Sequence, residues 1–145
     1  MSPTLKGQQM LVMKFGGTSV SSKTSVLAIC QLVKEKFAQK PIVVVSALSK
    51  VTDKLVQLCN FANFQNVDAI LADIYDKHQT LGTTLLNQDK LNHALSFIKS
   101  NLLEIKQQLA QFYKSGATVA SLALQDSIVS YGEKMSSFLI STIIH

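Results

Sequence analysis

The stretch that most constrains this chain is Met10 to Val20, MLVMKFGGTSV. Met10, Leu11, Val12 and Met13 run into a lysine, a phenylalanine and two adjacent glycines. A short unbroken apolar run closed by Gly-Gly predicts a strand buried on both faces. Paired glycines let the backbone turn sharply and let a ligand approach the amide N–H groups with no Cβ in the way. Thr18, Ser19, Ser21 and Ser22 are N-cap candidates for a helix starting near Val20. Strand, Gly-Gly turn and helix N-terminus together make a cradle for an anion, and Lys14 stands where the strand feeds it. A plain glycine turn beside a snorkelling lysine fits the same residues. A Walker A loop does not, because its lysine follows the glycines; G-x-G-x-x-G is absent as well.

Residues 21–45 extend the strand into a βαβ unit. Val26, Ile29, Val33 and Phe37 recur at helical spacing with Cys30 alongside, and the pattern ends near Gln39-Lys40 before Pro41. Ile42 to Val45 then supplies a second, β-favouring run closed by Ser46 and Ala47. Two strands joined through a helix should be parallel with a right-handed crossover. Their carboxyl ends then share one sheet edge, where ligands of open α/β sheets bind, so Lys14, Gly16, Gly17 and Ser46 should converge there. The polar loop SALSKVTDKL (46–55) leads into another helix, with Thr52 or Asp53 as cap and Leu55, Leu58, Cys59 and Ala62 as its apolar face.

Beyond residue 66 the strand signal ends. Val67, Ile70, Leu71, Ile74, His78, Leu81 and Leu85 trace one long helix. Leu91, Leu95, Ile98, Leu102, Ile105, Leu109 and Phe112 trace another in alternating steps of four and three, a coiled-coil-like seam. Asn87-Gln88-Asp89 should join them as an antiparallel hairpin, and Ser115-Gly116 should stop the second. His78 and His93 lie on or beside these seams with no second ligand at i+4, the pattern of packed or surface histidines rather than of a metal site. Asp126 to Ile144 carries Ile128, Gly132, Met135, Leu139 and Ile143 on one helical face, with Gly132-Glu133 expected to interrupt it. The last residues, FLISTIIH, are apolar and periodic with no stop signal, and a two-stranded parallel sheet has little stability alone. The expectation is the front part of a larger domain.

Composition narrows the functional classes. The chain has 145 residues, 47% hydrophobic and 16% charged, which suits one folded domain. Its net charge is +5 and it contains no arginine, so no side chain can grip a carboxylate or phosphate with a bidentate fork. The lysines are scattered, which predicts a solvated surface and no nucleic-acid interface. Cys30 and Cys59 show no metal-binding spacing and read as free thiols in a reducing compartment. Residues 1–9 lack a signal-peptide core, and no apolar run approaches the roughly 18 residues of a membrane span. A cytoplasmic protein without membrane contact is expected.

Three motifs, in order, resemble those of the aspartate kinases, within the amino acid kinase family. They are KFGGTSV (14–20), VVVSALSKVTDKL (43–55) and SYGEKMSS (130–137). The resemblance implies an α/β/α sandwich on a mainly parallel sheet, with residues 1–145 as the amino-terminal part of a single catalytic domain. It implies transfer of the ATP γ-phosphoryl group to the β-carboxylate of L-aspartate, with Mg²⁺, a first step toward lysine, threonine and methionine, by a homo-oligomer. Carried over by motif, Lys14 would bind the transferring phosphate and neutralise its charge. Gly16 and Gly17 would offer N–H groups to it, and Ser46 would line the pocket. Thr18, Ser19, Thr52 and Glu133 would contact aspartate, with Glu133 pairing the α-ammonium. The family's nucleotide-binding segment and substrate arginine have no counterpart in these residues, so the 145 residues alone are expected to be inactive. Two other readings are an amino acid kinase acting on a different carboxylate or carbamate, and a non-catalytic helical module built on the Leu91–Phe112 seam.

Overall fold

A computed structural model describes residues 10–60 and 65–145. Strand β1 (Val12–Phe15), helix α1 (Lys23–Lys36) and strand β2 (Ile42–Val45) form the expected βαβ unit. The strands are parallel, with Val12 opposite Ile42 and Phe15 opposite Val45. Helices α2 (Val51–Leu58), α3 (Val67–Leu85), α4 (Gln88–Lys114) and α5 (Leu122–Ile144) follow.

The sheet is covered on one face only. Met13, Phe15 and Val43 pack on the core and Val45 is buried within it, while Val12, Ile42 and Val44 on the other face remain exposed. The expectation of strands buried on both faces therefore fails, because no described element lies across that second face.

Local chemistry sets the helix boundaries. Ser22 caps α1, accepting from the Ser25 N–H at 3.1 Å, so the helix begins at Lys23 and not near Val20. Val20 is instead wholly buried in the preceding turn. Phe37 leaves the apolar face: α1 tightens into a 3-10 turn over Phe37–Gln39, and the ring is 74% exposed. Lys50, at φ 68°, precedes α2 with no side-chain cap, so neither Thr52 nor Asp53 has the expected role. Ser121 caps α5, which begins four residues earlier than the apolar pattern suggested. Gly132 does not interrupt that helix. Ala62 and the leader reading of residues 1–9 lie outside the described residues.

Helices α3 and α4 make the hairpin, joined at Asn87, whose side chain caps α4 by accepting from Lys90 N–H at 3.0 Å. Leu91, Leu95, Ile98, Leu102, Ile105, Leu109 and Phe112 are all buried. The seam is packed against α3 and α5, which removes it as a free docking surface. The end of α4 is tied back to α2: Tyr113 Oη donates to Leu58 O at 2.6 Å, and Ala120 N to Cys59 O at 3.0 Å. Both cysteines are free thiols, and burial pushes both up from the usual thiol range. No described helix is long and apolar enough to cross a membrane.

His78 is fully buried on α3, its Nδ1 2.7 Å from Ile74 O and its Nε2 without a partner. With Nδ1 donating, Nε2 is the unprotonated nitrogen, and a proton added there would be an unpaired buried charge. Burial accordingly holds its pKa below the ordinary histidine value. The unfolded chain binds that proton near pH 6.5 and the folded chain does not, so stability is complete above about pH 6.5 and falls as the pH drops toward the folded value. We expect a loss of at most about 1.4 kcal/mol per pH unit from this one site. Denaturant titrations between pH 5 and 7 on the parent and His78→Met check it: the slope difference should vanish only if His78 protonates freely in the fold.

Candidate active site

The carboxyl edge of the sheet carries the three motifs, and Ala47 is where they meet. Ser46 N donates to Phe15 O at 3.0 Å, carrying the parallel ladder one residue past β2. The chain then passes between two glycines. A Cβ on Gly17 would lie 2.9 Å from Ala47 O, and a Cβ on Gly132 would lie 2.9 Å from Ala47 Cβ and 3.3 Å from Leu55 Cδ1. Side chains lock the same junction. Glu133 Oε1 accepts from Ala47 N at 3.3 Å, and Ser136 Oγ donates to Ser46 O at 2.7 Å. Ser21 Oγ donates to Gly17 O and accepts from Ser49 N at 2.6 Å.

Of the residues singled out from sequence, Gly17, Ser46 and Glu133 are brought together through Ala47. Gly16 shapes the turn, accepting from Ser19 N at 3.0 Å, with open space where a Cβ would stand. Thr18 is exposed on that turn and Ser19 half-buried. Thr52 is half-buried in the first turn of α2. Lys14, opposite Val44 in the register, is exposed on the uncovered face of the sheet. Among the described residues Lys14, Thr18 and Thr52 make no side-chain hydrogen bond or ion pair with the rest of the site.

Among the described residues, lysine is the only cation near this edge. Lys54 is committed to Asp73 at 2.8 Å, and its hydrogen bond holds that carboxyl below the usual range. Lys50 faces Asp53 at 3.7 Å with both side chains largely exposed, a pair of little energetic weight. Lys50 also holds a left-handed backbone, at φ 68°, at the loop tip, a conformation that costs a non-glycine residue of order 1–3 kcal/mol. The junction itself can thus offer backbone donors, hydroxyls and the Glu133 carboxylate, with Lys14 on the neighbouring uncovered face of the sheet. A concavity of about 790 Å³, lined by Val33, Phe37, Pro41, Val43 and Ile144, opens at the far end of β2 and is mainly apolar.

Two residues of this junction were not found as site residues from sequence. Ser21 was visible only as a cap candidate. Ser136 carried a usable signal, a hydroxyl four residues after Gly132 on the apolar face of α5, and it is fully buried.

The two glycines of the turn should respond differently to a methyl group. Gly17→Ala meets a backbone oxygen held in place by the neighbouring peptide's hydrogen bonds, so overpacking should cost about 1–3 kcal/mol. Gly16→Ala meets open space and should stay within about 0.5 kcal/mol of the parent. Thermal or urea unfolding of both variants is the measurement; equal losses would mean that the Gly17 contact is not tight.

A family model for the amino acid kinase family matches residues 9–145. The bifunctional aspartokinase/homoserine dehydrogenase 1 of Zea mays, a chloroplastic protein, is 32% identical over 141 residues, covering 96% of this chain and 15% of that protein. Chloroplastic aspartokinase 3 of Arabidopsis thaliana is 32% identical over 139 residues, covering 92% of this chain and 23% of the relative. Among solved structures, E. coli aspartokinase III in complex with aspartate and ADP superposes with a TM-score of 0.70 at 29% identity, covering 93% of this chain and 28% of that one. The chain therefore spans about a quarter or less of the length of these sequence relatives. With the family matched across nearly all of its residues and the fold shared at this level, the chain belongs to the amino acid kinase family.

Proposed function

We propose that this chain forms part of an aspartate kinase, which transfers the γ-phosphoryl group of ATP to the β-carboxylate of L-aspartate. The observation that carries the reading is the meeting of its three motifs at Ala47, in a chain whose relatives are aspartokinases. It also resembles a structure holding aspartate and ADP. Residues 1–145 are read as the amino-terminal part of one catalytic domain.

Phosphoryl transfer asks a protein mainly for positioning and for charge placed where negative charge spreads. Lys14 supplies the cation beside the transferring phosphate. The Gly16 and Gly17 amides approach it without side chains in the way, and Ser46 lines the pocket between phosphate and aspartate. Glu133 keeps one carboxylate oxygen on Ala47 N and offers the other to the aspartate α-ammonium, with Thr18, Ser19 and Thr52 around the substrate. Among the described residues no group of three or more His, Cys, Asp or Glu side chains is placed to ligate a metal. Mg²⁺ enters with the ATP phosphates. Cytoplasmic residence is proposed on the two free thiols, and homo-oligomeric assembly on the exposed apolar face of the sheet.

Two substitutions in the native polypeptide carrying these residues test the assignment in an ADP-release assay with aspartate, ATP and Mg²⁺. Lys14→Ala should lower kcat by the roughly 2.7–4 kcal/mol that one transition-state electrostatic contact is worth, with a smaller change in KM for aspartate. A kcat within threefold of the parent would sink the role given to Lys14.

Glu133→Gln keeps an oxygen for Ala47 N and removes only the charge. It should raise KM for aspartate by the equivalent of about 1.5–3 kcal/mol while leaving KM for ATP nearly unchanged. An unchanged KM for aspartate would reduce Glu133 to a structural anchor.

A further inference from the structure

The parallel ladder runs one residue past β2 and ends at Ser46 N. In this register, with Val12 opposite Ile42, the strands alternate donors: Ile42 N gives to Leu11 O, and Ser46 N gives to Phe15 O. The next bond in the series would run from Gly17 N to Ser46 O. It is not made: among the described residues no hydrogen bond from Gly17 N to a carbonyl is present. Ser46 O is taken instead by the Ser136 hydroxyl at 2.7 Å, from a residue 90 positions away and fully buried. The other half of the same peptide unit, Ala47 N, is taken by Glu133 Oε1 one helical turn earlier on the same face of α5.

We propose that Ser136 is a positioning residue that holds the Gly17 amide open for phosphate by fixing, together with Glu133, the direction of the Ser46 carbonyl, which would otherwise turn to close on it. Glu133 and Ser136 grip both polar atoms of the Ser46–Ala47 peptide, so the plane cannot rotate to offer its oxygen elsewhere. Gly17 O is held by Ser21 Oγ, and the tight contact with Ala47 O keeps the turn in register. The Gly17 N–H is left as a fixed, unclaimed donor at the strand end, the kind of group that an oxyanion needs already aimed. Without the Ser136 hydroxyl, the half-buried Ser46 O would lose the donor that fixes its direction, and Gly17 N–H is the next one that the ladder geometry supplies. The last rung would close and the cradle would lose a donor.

That a phosphate is what the open amide receives rests on the kinase reading; that Ser136 keeps the amide open does not. Amide hydrogen exchange on the ¹⁵N-labelled native polypeptide separates the two. Without ligand, Gly17 should exchange freely in the parent, and Ser136→Ala should slow it at least tenfold. Ser136→Thr, which keeps the hydroxyl, should restore parental exchange, and Ser136→Cys, a near-isosteric weak donor, should behave as Ser136→Ala does if the alanine variant folds poorly. Unchanged Gly17 exchange in folded Ser136→Ala or Ser136→Cys would overturn the proposal, since a merely structural serine would loosen its surroundings and not protect a distant amide. Adding ATP then tests the cradle. Parental Gly17 should become protected, and Ser136→Ala should bind ATP about tenfold more weakly. Ser136-dependent exchange without ATP protection would keep the positioning role and remove the phosphate.

Discussion

Ala47 lies between two glycines, and the candidate site depends on that fit. On one side its carbonyl oxygen faces Gly17, and on the other its methyl group faces Gly132, each at a distance that a Cβ on the glycine would reduce to 2.9 Å. Three backbone segments distant in sequence, the first turn, the second loop and helix α5, approach as closely as a small residue between glycines permits. A larger residue at 47 would separate α5 from the sheet, and a Cβ at 17 would separate the two loops. The contact is buried above Val51 and Leu55, both wholly inaccessible, so it cannot relieve crowding by opening toward water.

This way of building a site fixes backbone atoms and leaves side-chain ends free. Gly17, Ser46 and Ala47 are held by main-chain and short side-chain hydrogen bonds, whereas Lys14 and Thr52 stand unattached among the described residues. Long side chains lose rotamer freedom when fixed, and short ones lose little. A cradle fixed through short bonds therefore concentrates precision where donors must be aimed, and the unattached Lys14 side chain keeps its rotamer freedom. The long helices serve this arrangement from a distance. Helix α2, which underlies the second loop, is anchored to α3 by Lys54–Asp73 and to the end of α4 by Tyr113. Helix α5, which supplies Glu133 and Ser136, is packed along α4.

Hydrophobic periodicity carried most of the fold: the two strands, the helical hairpin and the βαβ order are legible because apolar residues recur at the spacing of the structure they form. It misled at Phe37, where the pattern continues but Pro41 and the following strand force the chain to turn, leaving the ring in water. It misled at Gly132 because a glycine is read locally as a helix weakness, and only the position of Ala47 shows why a side chain is excluded there. Lys50 broke the capping expectation in the same manner, since a left-handed residue at the loop tip lets the helix start without a side-chain cap. In the site, Lys14, Gly17 and Glu133 were visible as chemistry, but Ser21 and Ser136 were not. Their importance lies in bonds across 28 and 90 residues, which no local pattern encodes.

The placement of Lys14 decides how much its charge can do. Two unit charges 4 Å apart interact by about 1 kcal/mol in bulk water and about 4 kcal/mol where the effective dielectric constant is near 20. An exposed lysine on an open sheet face sits near the first limit, whereas the role proposed for it requires something close to the second. The difference must come from excluding water, and the neighbours are suited to that. Val12 and Val44 share the exposed face with Lys14 and present apolar surface that is favourable to cover. Covering those side chains would also dehydrate the ammonium, and a dehydrated charge is costly unless it is paired, a pairing that the phosphate of the proposed reaction would supply. Burial of the apolar face that this two-stranded sheet leaves bare is thus what would give Lys14 the electrostatic weight that its proposed role requires.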